Sequence, residues 1–203
     1  MLLTSTTRWL AVTVATLALP ATAGLYPPAA PPGSAFVRVF NATAQAKISA
    51  KIGDKNVPDA AALDASGYVF LAPGQYPASV GTSQQNLTLA RSRCYTLAVT
   101  ASGLRPFDQD CFNSQLKSLL TFYNLIDGTT LNLRLGNGTP VINDVAANAS
   151  NQREVNPVKV DLAVYNGESK LADAKPVALE RGKVYSLFVT GTTAEPVLIW
   201  IVN

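Results

Sequence analysis

Short runs of alternating apolar and polar residues cover most of the chain after its first 35 residues. In the segment 46–52, Ala and Ile alternate with Lys and Ser, and Gly53 follows. A period of two is typical of a strand with one face in a core and the other in water, and the glycine favours a hairpin turn. No window beyond residue 23 sustains a helical period. The pattern therefore predicts an all-β fold.

The chain contains two copies of one sequence pattern. Residues 36–41 match residues 119–124 at an offset of 83, and the alternating run that ends at Gly53 matches a run that ends at Gly136. Such self-similarity indicates a duplicated structural unit. It predicts two tandem small β-sandwich domains related by an internal repeat. The alternative is a single larger sandwich or barrel built from both copies.

The offset between the copies changes along the chain. Residues 87–99 match residues 177–189 at an offset of 90, so the second copy has gained seven residues. Loops accept insertions at a small entropic cost. We place the insertion in the segment 143–156, because this segment is rich in Asn, Ala and Ser.

The first 23 residues have the features of a secretory signal peptide. Arg8 precedes an apolar stretch, and Ala21 and Ala23 form a cleavage site of the small-x-small type. The apolar stretch is shorter than the ~20 residues that span a bilayer, which argues against a membrane anchor. We predict cleavage after Ala23 and export of the chain from Gly24 onward.

The remaining chain divides into three parts. Residues 24–35 contain four prolines and are predicted to form an extended arm. A polar stretch that includes Cys111 marks the passage from the first copy to the second. We therefore predict the first β-sandwich at residues 36–112 and the second at residues 113–203.

Cys94 and Cys111 are the two cysteines of the chain. An even number of cysteines in an exported protein indicates a disulfide bond. Sixteen residues lie between the two cysteines. Closing a loop of this length stabilises a fold by about 3 kcal/mol in the chain-entropy model. The alternative is a reactive or acyl-carrying thiol, which needs a neighbouring base or helix N-terminus to lower its pKa.

The chain contains no histidine. This absence excludes Ser-His-Asp and Cys-His nucleophiles and histidine-ligated metal sites. The carboxylates are scattered, and neither a Gly-x-Ser-x-Gly elbow nor an EF-hand ligand pattern occurs. The chain has 16 Lys and Arg against 13 Asp and Glu, and the basic residues form no cluster, which argues against nucleic acid as a partner. The sequence predicts a protein that is not an enzyme and has no metal or cofactor.

Two aromatic residues at equivalent positions of the copies are candidate partner contacts. Phe40 and Tyr123 share their strand faces with Arg38 and Thr121, respectively. Polar neighbours on the same face of a strand indicate contact with water. We therefore predict that both aromatic side chains are partly exposed.

The segment 153–160 enters a strand through a turn that Pro157 begins. It supplies four further candidate partner contacts, namely Arg153, Glu154, Asn156 and Lys159. The alternative interpretation is a strand start with a solvated charge pair.

Several segments together resemble one protein family. They are residues 24–26, 33–39 with Asn41, 156–160 and 175–182. They resemble the alginate O-acetylation accessory family of AlgF-like proteins, over nearly the whole exported chain. The resemblance implies a periplasmic protein required for O-acetylation of an exported exopolysaccharide, as in alginate biosynthesis. The cysteine pair and the segment 92–117 depart from the family pattern, which leaves alginate and a cellulose-like polymer as candidates.

The resemblance also implies partners. They are a membrane-bound O-acyltransferase and periplasmic acetyltransferases of the AlgJ and AlgX type, with the polysaccharide as a further candidate. The family has no recognised catalytic triad, so we predict a non-catalytic adaptor that binds acetyltransferases and raises their local concentration. Two alternatives stay open: a covalent acetyl relay through Ser, Thr or Cys, and a carbohydrate-binding β-sandwich module.

Overall fold

The computed structural model describes residues 30–203 and consists of strands, turns and loops. The predicted signal peptide, residues 1–23, and residues 24–29 of the predicted arm lie outside the described residues. Within residues 30–203, no helix is long and apolar enough to cross a membrane. The strands of the first half are β1 (Ala35–Asn41), β2 (Lys47–Ile52), β3 (Lys55–Ala61), β4 (Asp64–Ala65), β5 (Val69–Leu71), β6 (Gly74–Val80), β7 (Ser83–Leu89), β8 (Arg93–Thr100) and β9 (Gly103–Asp110). Those of the second half are β10 (Ser118–Asn124), β11 (Leu131–Leu135), β12 (Pro140–Val145), β13 (Ala149–Val155), β14 (Lys159–Val160), β15 (Leu162–Asn166), β16 (Ser169–Asp173), β17 (Val177–Ala178), β18 (Val184–Gly191) and β19 (Pro196–Val202).

The first sandwich contains two sheets. One has the order β4-β1-β8-β9, with β5 also paired to β1, and the other has the order β3-β2-β6-β7. Strand β2 shows why the alternating pattern folds this way, because Ile48, Ala50 and Ile52 are buried while the lysines and serine between them are exposed. The buried faces of the two sheets enclose one apolar core.

The second sandwich repeats this plan. Its sheets have the orders β13-β10-β18-β19 and β12-β11-β15-β16, and β14 pairs with β17. In both sandwiches the first strand is parallel to the penultimate one, β1 to β8 and β10 to β18. No sheet within residues 30–203 contains strands of both halves. The predicted all-β fold of two tandem sandwiches is confirmed, and the predicted division after residue 112 falls between β9 and β10.

Strand pairing locates the extra residues of the second copy. Ala50 pairs with Val80, and their counterparts Leu133 and Val164 also pair, so the offset at the end of this pair is 84 (164 − 80). It reaches 90 by residue 177, which places six of the seven extra residues within 165–176. The prediction of an insertion within 143–156 is wrong, because much of that segment forms strand β13. The extra residues extend the β15–β16 hairpin and the turn after it.

A tyrosine fixes the same turn in each sandwich. The backbone N–H of Ala90 donates to the hydroxyl of Tyr95 at 2.8 Å. The N–H of Glu180 donates to the hydroxyl of Tyr185 at 3.0 Å, and this hydroxyl donates to the carbonyl of Ala178. These contacts resemble the tyrosine corner of β-sandwiches, in which the hydroxyl binds backbone a few residues upstream.

The disulfide bond joins Cys94 to Cys111. Cys94 lies on β8 opposite Gln109 of β9, and Cys111 follows two residues after Gln109. The disulfide therefore joins the two sides of the β8–β9 hairpin at its open end. The predicted disulfide is therefore present. Both cysteines of the chain are bonded, and neither is a free thiol.

Removal of this disulfide is expected to lower the free energy of unfolding by about 2–3 kcal/mol, because the unfolded chain gains the entropy of an open loop. The measurement is urea unfolding of the Cys94→Ser/Cys111→Ser double variant beside the oxidised wild type. The wild type in the presence of reductant is the control, and it should match the variant. Equal midpoints for all three samples would contradict the expected stabilisation.

The two sandwiches pack against each other through the outer faces of β1 and β8 and of β10 and β18. The ring of Phe188 lies between two others, 3.7 Å from the centroid of Phe40 and 4.1 Å from that of Tyr123. Phe107 meets Tyr123 edge-on at 5.1 Å. All four side chains belong to one buried apolar cluster. We call this contact region the seam.

The seam corrects one prediction. Phe40 and Tyr123 were predicted to be partly exposed, but both have 0% of their surface exposed. Arg38 and Thr121, whose polarity suggested a solvent-facing side, are also buried. The prediction is wrong because the second sandwich, and not water, covers this face of the first, and the reverse holds as well.

Arg38 crosses the seam with no exposed surface. Its Nε donates to Thr96 Oγ1 at 3.1 Å, and its Nη2 donates to Ser186 Oγ at 2.9 Å and to Tyr123 Oη at 3.4 Å. Its Nη1 donates to the side-chain oxygen of Asn203. Three of these four partners belong to the second sandwich. All four are neutral, although a buried charge in a protein is normally paired with an opposite charge.

Aromatic rings offset part of the cost of burying the charge of Arg38. The guanidinium carbon of Arg38 lies 4.9 Å from the ring centroid of Tyr68 and 5.8 Å from that of Phe188. Such contacts attract a cation through the negative face of the ring. Burial raises the pKa of the Tyr68 phenol, and the charge of Arg38 opposes that rise. The hydrogen bonds and the rings together hold Arg38 in place, and its side chain links the two sandwiches.

Candidate functional site

A groove opens between the two sheets at one end of the second sandwich. Its volume is about 610 Å³. Leu120, Leu162 and Leu179 form a buried apolar floor, and Arg153 and Lys159 stand on the rim with exposed side chains. Binding sites in proteins are commonly apolar concavities with a few polar groups that fix orientation. We call this concavity the C-groove.

Strand pairing places the rim residues. Arg153 lies on edge strand β13 opposite Leu120, and its Nη1 donates to the carbonyl of Val141 on the other sheet at 3.0 Å. This bond spans the gap between the sheets. Lys159 lies on the short strand β14, opposite Ala178 of β17. The chain must turn between β13 and β14, and Pro157 lies in that turn.

Three of the four candidate contacts of this segment come together. Arg153, Asn156 and Lys159 line the C-groove, and the side-chain oxygen of Asn156 accepts a hydrogen bond from Lys117 Nζ at 2.5 Å. Glu154 is exposed but lies opposite Leu119 on the neighbouring strand and is absent from the lining. Contact of these four residues with a partner stays a prediction. Phe40 and Tyr123 lie in the seam and are out of reach of a partner.

The rim of the C-groove is more positive than negative. Arg153 and Lys159 line it together with one carboxylate, Asp161. Among residues 30–203, the ion pairs do not involve either rim cation. Each cation is therefore available for an anionic group brought by a ligand.

Shifted pKa values lie outside the C-groove. The Arg134 guanidinium lowers the pKa of the Glu168 carboxyl by hydrogen bonding and charge. Hydrogen bonds from Asn148 and then Ser102 lower the pKa of Asp127 near the seam. Both shifts come from ordinary surface partners and mark no acid or base poised for proton transfer. In the part of the chain that the structure describes, no three His, Cys, Asp or Glu residues are grouped to hold a metal ion.

The floor of the C-groove was not found from sequence. Its leucines follow the same alternation as the rest of the core, so the pattern marks them as buried. A sequence pattern cannot show where two sheets part and leave a buried face open. The mismatch between the two copies at the corresponding positions is the signal that the sequence offers.

The family model described as Alginate O-acetyl transferase AlgF matches residues 9–186 of the 203-residue chain. The chain belongs to the AlgF family. An AlgF relative, the alginate biosynthesis protein AlgF of Pseudomonas syringae pv. tomato, is 42% identical over 197 residues, which cover 95% of this chain and 88% of the relative. The resemblance drawn from the sequence is confirmed, and the protein belongs to a family of alginate biosynthesis and O-acetylation.

Two solved domain structures of AlgF from P. aeruginosa are similar to parts of this chain. The structure of its C-terminal domain is 40% identical to this chain, covers 43% of it and 99% of that domain, and has a TM-score of 0.40. The structure of its N-terminal domain is 32% identical, covers 40% of this chain and 96% of that domain, and has a TM-score of 0.34.

Proposed function

We propose that the protein is a periplasmic, non-catalytic accessory protein of alginate O-acetylation that binds acetyltransferase partners. The observation that carries the proposal is the composition of the C-groove. Its floor is apolar and its rim is cationic, and its one carboxylate, Asp161, has no histidine or free thiol to act with. This composition supports recognition of another molecule over bond making.

The seam supports an adaptor in a second way. Arg38 and the stacked rings of Phe40, Tyr123 and Phe188 tie the two sandwiches together. A fixed arrangement of the two sandwiches keeps partners that bind the chain at a set spacing, which raises their effective concentration for one another. The proposed partners are periplasmic acetyltransferases of the AlgJ and AlgX type and the membrane-bound O-acyltransferase.

The acetyl relay is the second candidate. The disulfide between Cys94 and Cys111 leaves no thiol to form a thioester, so a relay has to use a hydroxyl group. Its distinguishing result is a covalent acetyl adduct on the purified chain after incubation with an acetyl donor, detected by intact-mass spectrometry. We expect no adduct and no transfer of acetyl groups to a model sugar.

Direct binding tests the proposal. The chain from residue 24 to residue 203 is immobilised, and purified acetyltransferases of the AlgJ and AlgX type are passed over it. We expect saturable binding to at least one acetyltransferase, weakened about ten-fold or more by Arg153→Glu/Lys159→Glu, because reversal of two rim charges replaces attraction by repulsion. The matched control is Lys51→Glu/Lys55→Glu, which reverses two exposed lysines of the first sandwich that, among the described residues, form no ion pair. Failure of both acetyltransferases to bind would overturn the proposal.

A further inference from the structure

In the first sandwich a tyrosine occupies part of the place where the second sandwich has the C-groove, and the concavity left beside it has a volume of about 360 Å³. Tyr76 on β6 packs its ring against Gly53, where an added Cβ would lie 2.9 Å from the ring carbon Cδ1. Its hydroxyl donates to the carbonyl of Ala72 at 3.0 Å. The ring thus narrows the opening at the end of the first core, and its hydroxyl is satisfied by the backbone.

Two independent strand pairs show which residue corresponds to Tyr76. Ile52 pairs with Ala78 in the first sandwich, and Leu135 pairs with Leu162 in the second, so the residue two positions before Leu162 corresponds to Tyr76. That residue is Val160. The neighbouring pairs agree, because Tyr76 pairs with Leu87 and Val160 pairs with Val177, which match in the repeat.

The smaller side chain of Val160 leaves the place of the ring empty. A Cβ added to Gly136, the counterpart of Gly53, would meet Asp161 at 3.7 Å and no aromatic ring. Gly136, Val160 and Asn156 all line the C-groove. Asn156 corresponds to Ala72, because the two residues follow the equivalent strand partners Val155 and Leu71. Its carbonyl is therefore at the position that accepts the tyrosine hydroxyl in the first sandwich.

The rim differs between the copies in charge. Arg153 corresponds to Val69, because they pair with the equivalent residues Leu120 and Val37. Lys159 corresponds to Gln75 by the same pairing argument, since it precedes Val160 as Gln75 precedes Tyr76. Both cations are thus specific to the copy that lacks the ring. Lys117 adds a third positive charge beside Asn156.

We propose that the C-groove receives a tyrosine or phenylalanine side chain from an acidic segment of a partner protein, which takes the place that Tyr76 fills in the first sandwich. The inference rests on the proposed function in that the partner is an acetyltransferase. The aromatic ring packs on Gly136 and Val160, a tyrosine hydroxyl donates to the carbonyl of Asn156, and flanking carboxylates meet Arg153 and Lys159. Buried aromatic anchors of this kind dominate the binding energy of many interfaces.

Charge separates this occupant from one within the chain itself. The arm at residues 24–35 carries Tyr26 but no Asp or Glu. It can offer a ring but no anion to the three cations. An acidic partner segment offers both.

A short peptide tests the occupant without any acetyltransferase. The capped tripeptide Asp-Tyr-Glu is titrated into the 15N-labelled chain from residue 24 to residue 203, and backbone amide shifts are followed by NMR. We expect saturable shifts at Gly136 and Val160 and none at Gly53 or Tyr76. The peptide Asp-Ala-Glu is the control for the ring, and it should bind about 30-fold more weakly. Absence of shifts around the C-groove, or equal binding of the control peptide, would overturn the proposal.

The variant Val160→Tyr restores the ring of the first sandwich. It should keep or raise the melting temperature, because its ring fills the groove as Tyr76 does, and it should lose peptide binding by about 30-fold. Val160→Thr has the shape of the wild type and should bind the peptide as the wild type does. A folded Val160→Tyr variant that binds with unchanged affinity would overturn the proposal. If that variant fails to fold, Arg153→Glu/Lys159→Glu decides, with a loss of at least about ten-fold expected for Asp-Tyr-Glu.

Two further measurements test other occupants of the C-groove. Tyr26→Ala that binds the peptide about ten-fold more tightly would show that the arm occupies the groove, and this overturns a partner segment. An alginate oligosaccharide that shifts the same amides, and is blocked by Val160→Tyr, would show a sugar site instead. We expect neither result.

Acetyltransferase binding separates this inference from the proposed function. The wild type and Val160→Tyr are compared on the purified acetyltransferases, with a loss of about 30-fold expected for the variant. Equal binding of both would overturn the aromatic anchor and leave the adaptor function standing. Failure of the wild type to bind would overturn the adaptor function, whereas the peptide titration still decides the anchor.

Discussion

Replacement of Phe188 by alanine is expected to lower the free energy of unfolding by about 3–5 kcal/mol and to split unfolding into two transitions. The ring is fully buried between Phe40 of the first sandwich and Tyr123 of the second. Its removal leaves a cavity in the seam and takes away the stacked aromatic contact with Phe40 of the first sandwich. Each sandwich keeps its own core, so each should then unfold by itself.

Phe122→Ala is the matched control for this prediction. Phe122 lies next to Tyr123 on β10 but points into the core of the second sandwich, and it is also fully buried. The same deletion there should destabilise the second sandwich without loosening the seam. The measurement is urea unfolding followed by the fluorescence of Trp200, in the second sandwich, and by NMR signals of the first. Coincident transitions for Phe188→Ala with unchanged midpoint would contradict the expectation.

Arg38→Ala is expected to cost about 3–5 kcal/mol of unfolding free energy. The substitution removes a large buried side chain, and it leaves the oxygens of Ser186 and Asn203 without their donor inside the seam. Each buried polar group that loses its partner costs about 1–3 kcal/mol. The relief of no longer burying a charge acts in the opposite direction. We expect the cavity and the stranded oxygens to outweigh it, because four hydrogen bonds are lost at once.

Two further substitutions separate these contributions. Arg38→Met fills most of the volume without the charge, and it should cost less than Arg38→Ala. Arg38→Lys keeps the charge but lacks the planar fork that reaches Thr96, Ser186 and Asn203 together, so it should cost more than Arg38→Met. Chemical denaturation of the three variants provides the measurement. If Arg38→Met proved more stable than the wild type, hydrogen bonding across the seam would be outweighed by the cost of burying the charge.

Much of the fold follows from period-two alternation and from the repeat. Strand β2 is a good example, since its alternation of Ile and Ala with Lys and Ser matches its burial residue by residue. The repeat also predicted that the halves share one plan, and it did so without any long-range information. Turn glycines such as Gly53, at φ 56°, lie where the alternation stops.

The seam could not be predicted in the same way, because its polar residues indicated a face in contact with water. Arg38 beside Phe40 gives a strand face of mixed character, and a mixed face normally meets water. The sequence of β10 indicates the opposite, a strand covered on both sides, because most of its residues are apolar. In the structure all seven of its residues are buried. A strand that is apolar on both faces is typically covered on both sides. Leu119 and Tyr123 on the outer face of β10 therefore favour a covered face.

The candidate site was predicted only in part. The segment 153–160 contains the cationic rim, and its charges and its turn were visible in the sequence. The groove itself depends on a missing ring, and a missing side chain gives no signal in one copy alone. Comparison of Tyr76 with Val160 reveals it, but that comparison requires the correct register. The insertion predicted within 143–156 lies before Val160, whereas most of the extra residues follow it.

The central strand pair of each sandwich joins residues that are far apart in the chain. Phe36 lies beside Cys94, and Leu119 lies beside Val184, in parallel pairs. Such distant contacts slow folding, because a long loop must be ordered before any gain is realised. During synthesis the first half cannot close its sheet until β8, which ends at Thr100, has emerged. The apolar face of β1 therefore lacks its central partner until about half of the chain has been synthesised, a state in which chaperone binding protects against aggregation.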